Sequence, residues 1–140
     1  IKTIIELKKY ADVIPHITLG ILGGKIQGEA ESVKKLAELG FKKVVFIVFI
    51  PTRNTPYENC NPPALEDVEE VFRQLPSLMP GGSFGLGCMH PRGAYKIKLE
   101  KLAFKYGFNS FVNPSKSFME FLCSMEDSVE TEKREECCVL

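Results

Sequence analysis

The chain predicts an α/β fold of parallel βα units, and three observations carry that expectation. Apolar strand-like runs alternate with amphipathic helical patterns at intervals of roughly 25 to 40 residues. The run Val44 to Ile50 is apolar without alternation, as in a central parallel strand covered on both faces. The 140 residues suffice for one domain, with 44% hydrophobic and 26% charged residues in the proportions of a folded protein.

Each element has its own signal. Ile4, Leu7 and Ala11 share a helix face in a segment that ends before Pro15, and Ile14 to Leu22 reads as a buried strand. Glu29 to Leu39 places Ala30, Val33, Leu36 and Ala37 at helical spacing, with Gly40 as a left-handed stop. After the Val44 to Ile50 strand and a long loop, Leu65, Val68, Val71, Phe72 and Leu75 define a helix with Glu66 and Asp67 in its first turn, closed by Pro76. Phe84 to Cys88 is a third strand, and Leu99, Leu102, Ala103 and Tyr106 mark a helix that stops at Gly107. Ser110 to Val112 is a last short strand, followed by the cap candidate Ser115 and by Phe118, Phe121, Leu122 and Met125 at helical steps. This rhythm suits a doubly wound sheet or part of a barrel. A closed (βα)8 barrel needs about 250 residues, so the chain would supply about half of one.

Charge and cysteine content narrow the function classes. Lys plus Arg and Asp plus Glu both total 18, so no net field draws the chain to nucleic acid or to an anionic membrane. The longest apolar run, Val44 to Pro51, falls well short of the roughly 20 residues of a membrane span. With no secretory leader pattern, the expected compartment is the cytoplasm. Ile1 stands where a Met is expected, which points to residues preceding it. Cys60, Cys88, Cys123, Cys137 and Cys138 form no CxxC, which argues against a disulfide framework or a structural zinc site and for reduced thiols. Residues 1 to 125 carry the four βα units, and 126 to 140 form an acidic tail. The terminal Cys137-Cys138-Val139-Leu140 fits the prenylation pattern C-a-a-X. Six acids against Lys133 and Arg134 between 126 and 136 deny it the basic second signal of a stable anchor, and no membrane partner is expected.

In either architecture ligands bind at the carboxyl ends of the strands, so chemistry is sought in the loops that follow them. The first, Gly23 to Glu31, is a glycine-rich turn into a helix whose free N–H groups suit an anion or nucleoside. It lacks the Walker A spacing, because Leu19 and Ile26 stand where Gly and Ser or Thr belong, and it contains no GxGxxG. A tight turn that needs glycine for backbone conformation alone explains it equally well. The second loop, Pro51 to Pro63, is long and dense in hydroxyl and amide groups, as functional loops often are, although a solvated crossover has the same composition. The third offers Cys88, His90 and Arg92 within five positions. If the strand continues, Cys88 and His90 point to one side, with Arg92 able to join them in a metal, sulfur-cluster or carboxylate site. The plainer reading is a buried thiol with His90 and Arg92 exposed. His16 reads as a hydrogen-bonded core residue.

Taken together, the loops resemble a known family. Gly24-x-Ile26-x-Gly28-x-x-Glu31 is similar to the GxIxGxxE pattern of radical S-adenosylmethionine (SAM) enzymes, and Pro51-x-x-Asn54-Thr55-Pro56-x-Glu58 resembles the PxxGTPxE loop of biotin synthase. Gly87 to Gly93, Val112-Asn113-Pro114 and Glu136-Cys137-Cys138 resemble biotin-synthase-like proteins of unassigned substrate. The resemblance spans essentially the whole chain and implies the second half of a TIM-type (βα)8 barrel. The first half in that family carries the CxxxCxxC motif, which this chain lacks. The SAM-cleaving [4Fe–4S] cluster would therefore be held by residues outside it, in a missing N-terminal half or a second chain, and this chain alone would be inactive.

By the same resemblance Gly24, Ile26 and Gly28 line the adenosine of SAM, Ile26 contacts adenine, and Glu31 supports the turn. Pro51, Thr52 and Thr55 complete the pocket, with Asn54 in place of the family glycine because Asn also tolerates positive φ. Cys88, His90 and Arg92 are the nearest counterparts of an arginine that the family directs toward an auxiliary cluster. The implied reaction is reductive cleavage of SAM to a 5′-deoxyadenosyl radical that abstracts hydrogen from an unactivated carbon of a small-molecule substrate, with sulfur insertion as one outcome. The rival is a non-catalytic nucleoside-binding βα module without the cluster half.

Overall fold

The computed structural model describes residues 2–125 and 129–134. In chain order they form α1 (Lys2–Leu7), β1 (His16–Leu19), α2 (Glu29–Glu38), β2 (Lys43–Val48), α3 (Leu65–Leu78), β3 (Ser83–Leu86), α4 (Ala94–Lys105), β4 (Ser110–Phe111) and α5 (Lys116–Cys123). The sheet is wholly parallel with strand order β1-β2-β3-β4, in which His16 pairs with Val45, Lys43 with Ser83 and Gly85 with Ser110. Parallel neighbours cannot be joined by a tight turn, so each strand is followed by a helix that carries the chain back. The strand order contains no reversal. The helices touch in sequence, α2 with α3, α3 with α4 and α4 with α5.

Period-two alternation sorts β2 onto two faces. Val44, Phe46 and Val48 enter the main core with Ile17 and Leu19 of β1, Phe84 and Leu86 of β3, and the apolar stripes Val68, Val71, Phe72, Leu75 of α3 and Leu99, Ala103 of α4. The centre is aromatic. Phe46 meets Phe72 edge-on with ring centroids 5.7 Å apart, and Phe108 stands 4.5 Å from Phe72 and 5.5 Å from Phe46. Such pairs add about 0.5–1.5 kcal/mol each to simple area burial. Val45, on the other face, is also buried, which accounts for the absence of alternation in the sequence of this strand.

The alternation of strands and helices agrees with the sequence pattern, while several element ends differ. β1 stops at Leu19 rather than Leu22, because the Gly24 N–H donates to the Gly20 carbonyl at 2.8 Å and turns the chain. β3 ends at Leu86, not Cys88, although the ladder resumes where the Val48 N–H donates to Met89 O at 2.7 Å. Pro76 does not close α3. It lies in the last turn, where it removes a single N–H bond, and the Met79 N–H still reaches Leu75 O at 2.9 Å. α1 covers only six residues and buries none of them; Leu7, expected on its apolar face, is 51% exposed. What ties this segment down is Lys8, whose Nζ donates to the carbonyls of Leu39 and Gly40 at the end of α2 and lies 4.6 Å from the Phe41 ring centre. A cation suits the negative end of a helix dipole. No helix of the described residues is long and apolar enough to cross a membrane. Cys137 and Cys138 lie outside the described residues.

Candidate functional site

The loops after β1, β2 and β3 start from adjacent positions at one end of the sheet, since the three strands are parallel neighbours. The β1 loop is organised by a residue to which the sequence reading gave no role. Glu29, 4% exposed, opens α2, and its carboxylate accepts the Gly20 N–H at 2.8 Å and the Gln27 N–H at 2.5 Å. It closes the turn from both ends. Glu31, expected to do this, lies in the same first turn of α2 but is exposed, and the turn is held by Glu29 instead. The first position of a helix that follows a left-handed glycine was the available signal, because it aims the side chain back over the preceding turn.

Two glycines of this turn serve different purposes. A Cβ built on Gly24 would lie 2.0 Å from the Asn61 carbonyl oxygen, so the β1 loop and the end of the β2 loop meet there backbone to backbone. Gly28 caps α2 at φ 92°, ψ 1°, with open space where a Cβ would stand. Ile26 is half-buried, and its side chain packs on the main core. Gly24, Ile26 and Gly28 line a shallow concavity of about 440 Å³ together with Lys25, Glu29 and Ala30, its far wall being Asp67, Glu70, Val71 and Gln74 of α3. The three expected nucleoside residues of the first loop are thus on one surface. Glu31, Pro51, Thr52 and Thr55 are not among the residues that line it.

The β2 loop is held by its own side chains. Thr52 Oγ1 donates to Ile50 O at 3.1 Å, Thr55 Oγ1 to Thr52 O at 2.7 Å, and the Asn54 N–H donates to Glu58 Oε2 at 2.9 Å. Asn54 has φ 62°, the left-handed conformation that the sequence comparison with a glycine position required. Tyr57 stacks edge-on against Phe49 at 5.9 Å and borders Gly23. The far end of the loop is fixed by Tyr95 of α4, whose hydroxyl donates to Pro63 O at 2.9 Å. Burial, assisted by the nearby Glu66 charge, pushes the Tyr95 phenol up to about 12, so it remains a neutral donor near pH 7.

After β3 the three candidates differ in exposure. The strand ends before Cys88, so period-two alternation no longer applies: Cys88 is exposed, His90 is 7% exposed, and Arg92 is exposed. The His90 Nδ1 lies 3.3 Å from Pro91 O. Among the described residues no group of three His, Cys, Asp or Glu is placed to hold a metal ion. His16, read as a core residue, is exposed, with Nδ1 3.1 Å from Ile14 O.

Glu100 is the second carboxylate to which the sequence reading gave no role. It is 1% exposed and accepts the Ser115 N–H at 2.8 Å and the Ser115 hydroxyl at 2.5 Å, with Lys96 Nζ at 3.7 Å. Ser115 Oγ in turn accepts from the Phe118 N–H at 3.2 Å and caps α5, as its sequence position predicts. The signal for Glu100 was an acid beside Leu99 and three residues before Ala103, on the buried side of α4.

No protein-family model, curated protein or solved structure matches the chain.

Proposed function

We propose that the chain is the SAM-binding and substrate-shaping half of a biotin-synthase-like radical SAM enzyme, built as about half of a (βα)8 barrel. Its small-molecule substrate would be enclosed together with a cluster-bearing N-terminal half or second chain. The observation that carries this reading is the junction of two motif-bearing loops, where Gly24 of the GxIxGxxE-like turn abuts Asn61 beyond the PxxNTPxE-like loop. The unreversed order β1-β2-β3-β4 is the order that consecutive strands of such a barrel take.

The residues present suit the nucleoside part of SAM and not the cluster. Gly28 leaves open space at the start of α2, where backbone N–H groups lack intrahelical partners, and Gly24 and Ile26 continue that surface. The sequence carries no CxxxCxxC, so in this reading cluster chemistry would fall to the partner. When bound and reduced there, SAM supplies the means of hydrogen abstraction from an unactivated carbon. The part of this chain is to bind and orient. The backbone of Gly24 to Gly28 would receive the adenosine, Glu29 holds that backbone in place, and Pro51, Thr52 and Thr55 on the neighbouring loop would close the approach to water.

Calorimetric titration of SAM into the chain and into Gly28→Asn, Gly28→Val and Ile26→Ala, with the unfolding midpoint of each, tests the reading. Asn accepts positive φ and fills the open space, so Gly28→Asn should weaken SAM binding at least tenfold with little change in midpoint. Gly28→Val should lose both. Ile26→Ala should lose stability by a fraction of the ~2–5 kcal/mol seen for large core truncations, because its side chain is only partly buried. No binding heat with the unaltered chain, or affinity that falls only in step with the midpoint, overturns the assignment.

A further inference from the structure

We draw no further inference here: the strongest candidate, the amino-terminal end of α4 at the carboxyl edge of the sheet, where exposed Arg92 precedes a first turn without an acid or a side-chain cap and open space lies above Gly93, is a helix N-terminus with no second observation that points to a ligand, since the neighbouring His90 has its Nδ1 on the Pro91 carbonyl and nothing aims the rest of its ring into that space.

Discussion

Two carboxylates two positions apart, Glu29 and Glu31, behave in opposite ways, and the difference lies in what each accepts. Glu29 accepts the buried Gly20 N–H and, in addition, the Gln27 N–H, whereas Glu31 is exposed. Leaving a buried donor unsatisfied costs about 1–3 kcal/mol. Glu29→Ala should therefore lower the stability measured by urea unfolding by about 2 kcal/mol or more, while Glu31→Ala stays within about 0.5 kcal/mol, as surface changes do. Equal losses would remove the assigned role of Glu29. The same contrast applies to the glycines. Gly28→Ala meets no atom and bears only the left-handed backbone penalty of about 1–2 kcal/mol. Gly24→Ala adds to that penalty a Cβ driven into the Asn61 carbonyl, so its loss should reach about 3 kcal/mol or prevent folding. Similar midpoints for the two variants would show that the two loops do not meet as described.

Among the elements, α3 and α4 are joined by more than apolar contact. Glu69 of α3 accepts from Lys105 Nζ at 2.7 Å and from the Tyr106 hydroxyl at 2.9 Å. The hydrogen bond from Lys105, then that from Tyr106, hold the Glu69 carboxyl below the usual carboxylate range. A carboxylate whose pKa is depressed on folding stabilises the fold above its unfolded pKa, and that contribution is lost as pH falls through the folded value. The chain should accordingly lose stability between neutral and acid pH, and Glu69→Gln should remove part of that loss. The group is exposed, so the change is small. Urea midpoints at pH 7 and pH 3 for both proteins measure it: the variant should show the smaller difference, and identical differences would assign the acid sensitivity to other carboxylates.

At the scale of the whole molecule, the sheet has two outer edges. Neither β1 nor β4 has a second strand neighbour among the described residues, and Ile21, Leu22, Tyr57 and Met89 expose apolar surface in the loops after β1, β2 and β3. Unpaired edges and clustered apolar surface favour association. Sedimentation of the purified chain should show concentration-dependent self-association, and Thr18→Pro, placed on β1 where the ladder with β2 alternates away from it, should reduce it. A monodisperse monomer at all concentrations would count against both the open edges as interfaces and the half-barrel proposal.

What was legible in the residues follows the range of the forces involved. Helical periodicity in α2 to α5, the uninterrupted apolar run of β2, the Ser115 cap and the left-handed Asn54 are local or depend only on which face is buried, and each can be read from a short window of sequence. Strand ends were less legible, since β1 and β3 stop where hydrogen bonds from distant positions stop or shift, not where apolar residues run out. The site divides along the same line. Composition and spacing singled out the turn from Gly23 to Glu31 and the loop from Pro51 to Pro63, but only the folded chain shows that Gly24 rests on Asn61 and that Glu29 and Glu100 spend their charges on backbone donors 9 and 15 residues away. The difference in exposure between Cys88 and His90 was decided in the same way. Two residues share a side only while a strand lasts, and the end of β3 is set by its partner in the sheet.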